Sequence, residues 1–476
     1  MVDLTKFKEI LWLNLFEVYS SHMNFDELRV FIGERLTTSK AIRLEHSYDE
    51  SWHIPANIPD AVLYPKSTDE VSKIIKFANK NEIPVIPFGT GTALEGQIHA
   101  PKGGITINSN NMNNIIQLNS DDMDCRVQAG VTRKDLNSYL RDTGLFFPVD
   151  PGANASIGGM CATRASGTNT VKFGTIREQV LGLEVVLPDG KIISTGTRAR
   201  KSSAGYDLTH LMLGSEGTLG FITEINLKLH GRPENISAGV CAFRDLKGAI
   251  DTVIESIQLG RPLSRIELLD EVQIQAINKY RKTKHKVAPT LFIEIHGTAL
   301  SVKEQLETFK NIAITNNILN FDWANGNKEI DLLGSARHDA YYAALNLVPG
   351  KKAFTTDVCV PISNLTNCIL ETKKDIENSN IIAPIVGHVG DGNFHLIMLL
   401  DPNDEIEVNE AKKLNHNLIN RAIKMEGTST GEHGIGIGKK EYLKTERGFS
   451  VSVMSQIKKA IDPKNIMNPG KIFDTL

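Results

Sequence analysis

The polar–apolar pattern changes character along the chain. In "STDEVSKIIKFANKN" (67–81), Val71, Ile74, Ile75 and Ala78 recur at helical spacing, which predicts an amphipathic helix. Ser67 with Glu70 three residues on predicts a capping box at its start. The residues before it, 1–54, read as short helices in an N-terminal extension. Short apolar runs at 83–88, 103–109 and 124–131 predict strands. "TRKDLNSYLRDTG" reads as a helix capped by Thr132 and stopped by Gly144. "LGLEVVLPDGKIIST" (181–195) reads as a hairpin turning at Pro188-Asp189-Gly190, and "GTLGFITEINLKLH" as one more strand. Beyond residue 232 the helical stretches lengthen (244–259, 301–316, 363–378, 409–425) and alternate with strands at 290–298, 354–361 and 393–400. The pattern predicts two α+β domains, 55–232 and 233–476, the second with helices against a mainly antiparallel sheet. No internal repeat or low-complexity linker interrupts it.

Composition acts mainly by exclusion. A chain of 476 residues is too long for one core. Hydrophobic residues at 41% and charged residues at 23% are ordinary for a globular protein. A net charge of −3 without an Arg/Lys block argues against nucleic acid as a partner. The five cysteines are scattered and form no C-x-x-C, which suggests a reducing compartment; a cytoplasmic location is expected. No apolar run approaches the roughly 18 residues of a membrane span. The opening "MVDLTKFKEILWLNLFEVY" is amphipathic but carries Asp3, Glu9 and Glu17, unlike a signal or transit peptide. Its apolar face would suit peripheral membrane contact.

Three segments are unusually rich in glycine. "PFGTGTALEG" has Gly89, Gly91 and Gly96, and glycine lets backbone N–H groups approach a diphosphate. The spacing is neither G-x-G-x-x-G nor a P-loop, so this segment alone could equally be a plain turn. "PVDPGANASIGGMCATRASGTNTVKFGTIREQV" interleaves Gly152, Gly158, Gly159, Gly167 and Gly174 with Ser156, Ser166 and Thr168. Over 148–176 this reads as a long loop wrapped around a large cofactor. "GYDLTHLMLGSEGTLGFITE" repeats the character at Gly214, Gly217 and Gly220.

Two further stretches carry titratable chemistry. In "GHVGDGNFH" the run Gly390-Asp391-Gly392-Asn393 is strong turn chemistry, and a turn there would fold His388 and His395 onto one point. "TGEHGIGIG" adds Glu432 and His433, and its glycines leave the loop little reason to exist as packing. Two histidines and a carboxylate form an N, N, O set with open positions, suited to Zn²⁺ or Mn²⁺. Seven further histidines, His53, His99, His210, His230, His296, His338 and His416, read as surface or core residues.

The order of the three glycine segments resembles the FAD-binding domain of the vanillyl-alcohol-oxidase type of flavoproteins. "GHVGDGNFH", "GTSTGEHGIGIGKKEYL" and "DPKNIMNPGKIF" resemble the C-terminal domain of the D-2-hydroxyacid dehydrogenases in that family. The resemblance implies a two-lobed α+β fold with FAD in the groove between domains. It places the pyrophosphate on Gly89–Thr92 and turns the isoalloxazine toward the C-terminal domain. The implied cofactor residues of the first segment are Pro87, Gly89, Thr90, Gly91 and Thr92. Those of the second are Pro151, Gly152, Ser156, Gly158, Gly159, Ala162, Ser166, Gly167 and Gly174. Glu216, Gly217, Gly220 and Ile222 follow from the third, and Asn468 from "DPKNIMNPGKIF". The first loop has no Cys or His, so the FAD is expected to be non-covalent; His99 follows that loop and Cys161 lies in the second glycine-rich segment.

By the same resemblance, His388, His395 and Glu432 are metal ligands and His433 is the base. In an extended backbone adjacent side chains point apart, so Glu432 would face the metal and His433 the substrate hydroxyl. Arg337, with Tyr341 one helical turn on, and Lys352 are the implied partners of the substrate carboxylate; Lys351 competes with Lys352. The implied reaction is oxidation of a small D-2-hydroxy acid, D-lactate foremost, with D-2-hydroxyglutarate or glycolate as rivals. Ile397 would lie against the far end of the substrate, where the hydroxyglutarate branch usually has Asn. The electron acceptor (quinone, cytochrome or electron-transfer flavoprotein) stays open. A binding module without turnover is the rival from another class, and the Glu432-His433 pair argues against it.

Overall fold

The computed structural model describes residues 23–260, 263–324 and 339–474. Arg337 and the amphipathic N-terminal stretch therefore lie outside the described residues. Strands β1 (Leu36–Thr37), β2 (Ala61–Leu63), β3 (Val85–Phe88) and β4 (Ile105–Asn108) form a sheet ordered β1-β2-β4-β3. β2 and β3 both run parallel to β4, and the helix Thr68–Asn81 makes the crossover. That helix buries Val71, Ile74, Ile75 and Ala78, the stripe its sequence shows. Half of the capping box forms, with Ser67 Oγ accepting from the Glu70 N–H at 3.3 Å. The Glu70 carboxylate accepts instead from Arg35 and from the Lys66 N–H, a stronger, charge-assisted choice.

The segment 23–54 is less an extension than an edge of this lobe. Phe25, Leu28, Ile32 and Leu36 share a core with Val71, Ile75 and Ile105. Next come β5 (Ile115–Asn119), β6 (Asp124–Gln128), β7 (Leu145–Phe146), β8 (Val180–Val186), β9 (Ile192–Ser194), β10 (Phe221–Lys228) and β11 (His230–Gly231). Five of them make a sheet ordered β5-β6-β10-β8-β9, and β7 pairs with β11.

The stretch 148–176 is not one long loop. It contains the helices Ile157–Thr163 and Thr170–Phe173. Ser156 caps the first, which begins with Ile157-Gly158-Gly159. A Cβ at Gly158 would stand 2.6 Å from the Cβ of Ala129, so this glycine lets the helix lie against the strand end beside it. Gly158 and Gly167 stand where a Cβ would strike neighbouring backbone, whereas Gly152 faces open space.

The second lobe is a sheet of β12 (Asn235–Phe243), β13 (Leu263–Leu269), β14 (Thr290–Gly297), β15 (Ile318–Ala324), β16 (Lys352–Thr355), β17 (Val358–Cys359), β18 (Ile385–Gly387) and β19 (Asn393–Leu400). Its order is β15-β12-β14-β13-β18-β19-β16, with β17 also on β19, and every pairing is antiparallel. Alternation along β19 decides what faces the cleft. Phe394, Leu396, Met398 and Leu400 enter the core beneath the long helices, whereas His395 and Ile397 line the groove on the other face. Not everything after residue 232 stays in this lobe. The tail crosses back, with the Val85 N–H donating to Ile466 O at 2.7 Å and Ile466 and Met467 buried in the first core. Among the described residues no helix is long and apolar enough to cross a membrane.

Candidate active site

A cavity of about 350 Å³ lies between the lobes. One wall is built by the three glycine segments, which contribute Pro87, Gly89, Thr90, Gly91 and Thr92, then Pro151, Gly152, Gly158, Gly159, Ala162 and Ser166, then Glu216, Gly217, Gly220 and Ile222. Asn468 arrives on the returning tail. Such a wall of glycine backbone and small hydroxyls suits a large, flat, phosphate-bearing ligand. Three expected contacts do not line it. Ser156 is fully buried as a helix cap, Gly167 is pressed against the Asp150 carbonyl, and Gly174 ends the helix Thr170–Phe173 at φ 78°.

The opposite wall carries the titratable groups. Gly392, at φ 79°, closes a turn that brings His388 and His395 to a ring separation of 5.6 Å. The outer nitrogen of each ring is engaged. His395 Nδ1 lies 2.9 Å from Thr356 O, and a carbonyl can only accept, so Nδ1 carries the proton. His388 Nδ1 lies 2.7 Å from Glu267 Oε1. The Nε2 atoms of both rings therefore turn toward Glu432 Oε1, at 3.6 Å from His388 and 3.3 Å from His395. Three ligand atoms, two of them acceptors in the neutral rings and one a carboxylate oxygen, face one another within 4.8 Å. Acceptors converging in a buried place require a cation between them, either protons or a metal ion. Without a metal, protons supply it. Burial disfavours the His388 imidazolium, but Glu267 and Glu432 outweigh burial and hold its pKa at about 10. Glu432 is likewise held well below the usual carboxylate range, against its burial, by His388 and His395. The second Glu432 oxygen accepts from Ser166 Oγ at 2.6 Å, so the first lobe touches this cluster directly.

His433 stacks on His395 with centroids 5.1 Å apart. Burial lowers its pKa from the ordinary imidazole value, and Asp357 only partly offsets this, which favours the neutral ring. The expectation that Glu432 and His433 point apart fails. Both line the cavity, with His433 Nε2 3.7 Å from Glu432 Oε1. The backbone there is bent, because Asp357 Oδ2 accepts the N–H groups of both residues, at 2.9 and 3.0 Å. Buried Asp357 has its pKa held far down by His433, Lys439 and His395 in spite of desolvation.

Tyr341 and Ile397 line the cavity, together with Ala340 and Val386. Lys352 does not: it is exposed at the start of β16, opposite Leu400, well along the strand from His395. Lys351 also turns away, to Glu407 at 2.6 Å. Sequence reading missed Glu267 and Asp357. Each is an acidic residue within an apolar strand pattern, "LSRIELL" and "TTDVCV", and that isolation was the available signal.

The fold and the cleft define a class, and comparison with known proteins agrees. Residues 59–196 match the family described as "FAD binding domain", and 232–472 match "FAD linked oxidases, C-terminal domain". The 4-ethylphenol oxidase of Gulosibacter chungangensis superposes with a TM-score of 0.79 at 18% identity, over 95% of this chain and 96% of that one. The fold is therefore that of the vanillyl-alcohol-oxidase-type flavoproteins. The chain belongs to the FAD-linked oxidase family, and within it to the branch of the D-lactate dehydrogenases. It is 49% identical to "Probable D-lactate dehydrogenase, mitochondrial" of Danio rerio, over 93% of this chain and 89% of the relative. It is 45% identical to "D-lactate dehydrogenase [cytochrome], mitochondrial" of Arabidopsis thaliana, over 94% and 79%.

Proposed function

We propose that the chain oxidises D-lactate to pyruvate, with non-covalent FAD and a Zn²⁺ or Mn²⁺ ion held by His388, His395 and Glu432. The observation that carries this reading is the convergence of His388 Nε2, His395 Nε2 and Glu432 Oε1 in a cleft whose facing wall is the FAD-binding domain. Bound FAD would supply the hydride acceptor, and the cation a Lewis acid for the substrate hydroxyl. His433 Nε2, beside Glu432, takes the hydroxyl proton, a role worth about 10²–10⁴-fold. Asp357 stabilises the resulting imidazolium and fixes the loop. Ser166 orients Glu432 from the cofactor side. Arg337 is kept as the partner of the substrate carboxylate. Ile397, Val386 and Ala340 offer the methyl group an apolar seat. Non-covalent attachment is supported by the lining: among the described residues it has no cysteine, and its histidines are those of the proposed metal and proton site. The test is anaerobic titration of the yellow holoenzyme with D-lactate. The flavin band should bleach in proportion to substrate, and a flavin that stays oxidised would end the proposal.

A further inference from the structure

Two side chains of the FAD-binding lobe reach across the cleft to the backbone of the loop that carries His433. Glu216 Oε1 accepts the Ile435 N–H at 2.7 Å, and Oε2 accepts the Gly436 N–H at 2.8 Å. Gln97 Nε2 donates to the His433 carbonyl at 2.7 Å. Glu216 is buried and sits at φ 52°, a backbone region that non-glycine residues rarely occupy. The surroundings hold it there: its N–H donates to Ala162 O at 2.9 Å, and its carbonyl accepts from Asn468 Nδ2 at 2.7 Å. A conformation kept at such cost points to the side chain as its purpose.

The opposing loop is shaped to receive it. Gly434 at φ 81° and Gly436 at φ 49° turn two successive N–H groups to one side, forming a nest for an anion. A Cβ at Gly434 would lie 2.6 Å from Glu216 Oε1, and one at Gly436 would lie 2.0 Å from Glu95 O. Asp357 grips residues 432 and 433 from the second lobe, while Gln97 and Glu216 grip 433, 435 and 436 from the first.

We infer that Glu216 is a positioning residue for His433: its carboxylate docks the His433 loop onto the FAD-binding lobe and so sets the register of base against cofactor. The inference rests on His433 being the base. Only a carboxylate offers an acceptor to both amides. Glu216→Gln keeps one acceptor and sets an NH₂ group against the other N–H.

The experiment is anaerobic stopped-flow reduction of the flavin by D-lactate in the holoenzyme. At about pH 8, where Glu216 is ionised although burial raises its pKa to about 7, Glu216→Gln should slow it by about tenfold or more, the range of one lost hydrogen bond to a charged group. Rates are compared on fully FAD-loaded enzyme; metal content should stay at wild-type level, and the half-saturating D-lactate concentration should hold within about threefold. In a His433→Ala background the same change should cost less than about twofold, because Glu216 acts through His433. Equal slowing in both backgrounds, or none in the wild-type background, overturns the inference. His433→Ala reducing at the wild-type rate would instead overturn the assignment of the base. Hydrogen exchange then still tests the clamp: the Ile435 and Gly436 amides should both be protected in the wild-type holoenzyme, and one of the two should lose its protection in Glu216→Gln. Should Glu216→Gln not fold, Gly434→Ala, which intrudes on the same carboxylate, should slow reduction likewise. Fast exchange of both amides in the wild type refutes the clamp outright.

Discussion

Changing the far end of the substrate is the most direct probe of the apolar wall. Ile397 is 2% exposed and follows His395 on the cleft face of β19, with Val386 and Ala340 beside it. Among the described residues no lysine or arginine lines the cavity. The methyl of D-lactate meets this wall at no polar cost. The ethyl of D-2-hydroxybutyrate adds one methylene, worth up to about 0.8 kcal/mol if fully buried, or about fourfold in its favour. The distal carboxylate of D-2-hydroxyglutarate loses its water against Ile397, Val386 and Ala340 and meets no cation among the described lining side chains. A missing hydrogen bond to a charged group costs about 1.5–3 kcal/mol, which is roughly a 10- to 150-fold penalty. The assay is kcat/KM for the three acids with one electron acceptor. The two short acids should lie within about fivefold of each other, with hydroxyglutarate at least about tenfold below. Ile397→Asn, which brings a donor to the wall, should narrow that gap. Hydroxyglutarate equal to or better than the short acids would refute the reasoning.

Acid precipitation should release the flavin into the supernatant, since Cys161 is fully buried with its thiol pKa pushed well up and His99 is buried against Asp49; flavin in the pellet would contradict this. Exhaustive chelation should abolish turnover while FAD stays bound, and Mn²⁺ or Zn²⁺ should restore it. His388→Ala should lose the metal by elemental analysis. His433→Ala should keep FAD and metal yet slow flavin reduction by about 10² or more. In the role proposed for His433 the neutral ring is the active form, and burial depresses its pKa. The acid limb of flavin reduction should therefore have its midpoint below 6.5, the ordinary imidazole value. A decline already complete above that value would contradict the base assignment.

Much of the fold was legible because it is local. The helix Thr68–Asn81 carries a helical stripe, Thr132 accepts from the Asp135 N–H as a cap should, and β19 alternates between core and cleft. The convergence of His388 and His395 was legible for the same reason, since a tight turn brings them together within one hairpin. The segment 148–176 was misread because glycine density alone does not distinguish a loop from a helix pressed on a strand. Gly158 shows the difference only once Ala129 is known to stand opposite it.

What sequence could not supply is the contact between lobes. Ser166 and Glu432 are 266 residues apart, and Glu216 and Ile435 are 219 apart. No periodicity links them. The glycines of "GEHGIGIG" looked free of packing duties, yet Gly434 and Gly436 lie against Glu216 and Glu95 with no room for a Cβ. That reversal bears on how the site works. A loop that only presented ligands could hang from the second lobe by Asp357. This loop is also fitted to the first lobe, where the turn that carries Glu216 continues into Gly217 and Gly220 on the cofactor wall. On the proposed reading, the distance between His433 and the cofactor is then set by the hydrogen bonds of Glu216 and Gln97 rather than by the long path of either domain, which is the economical way to hold two reacting groups that belong to different lobes.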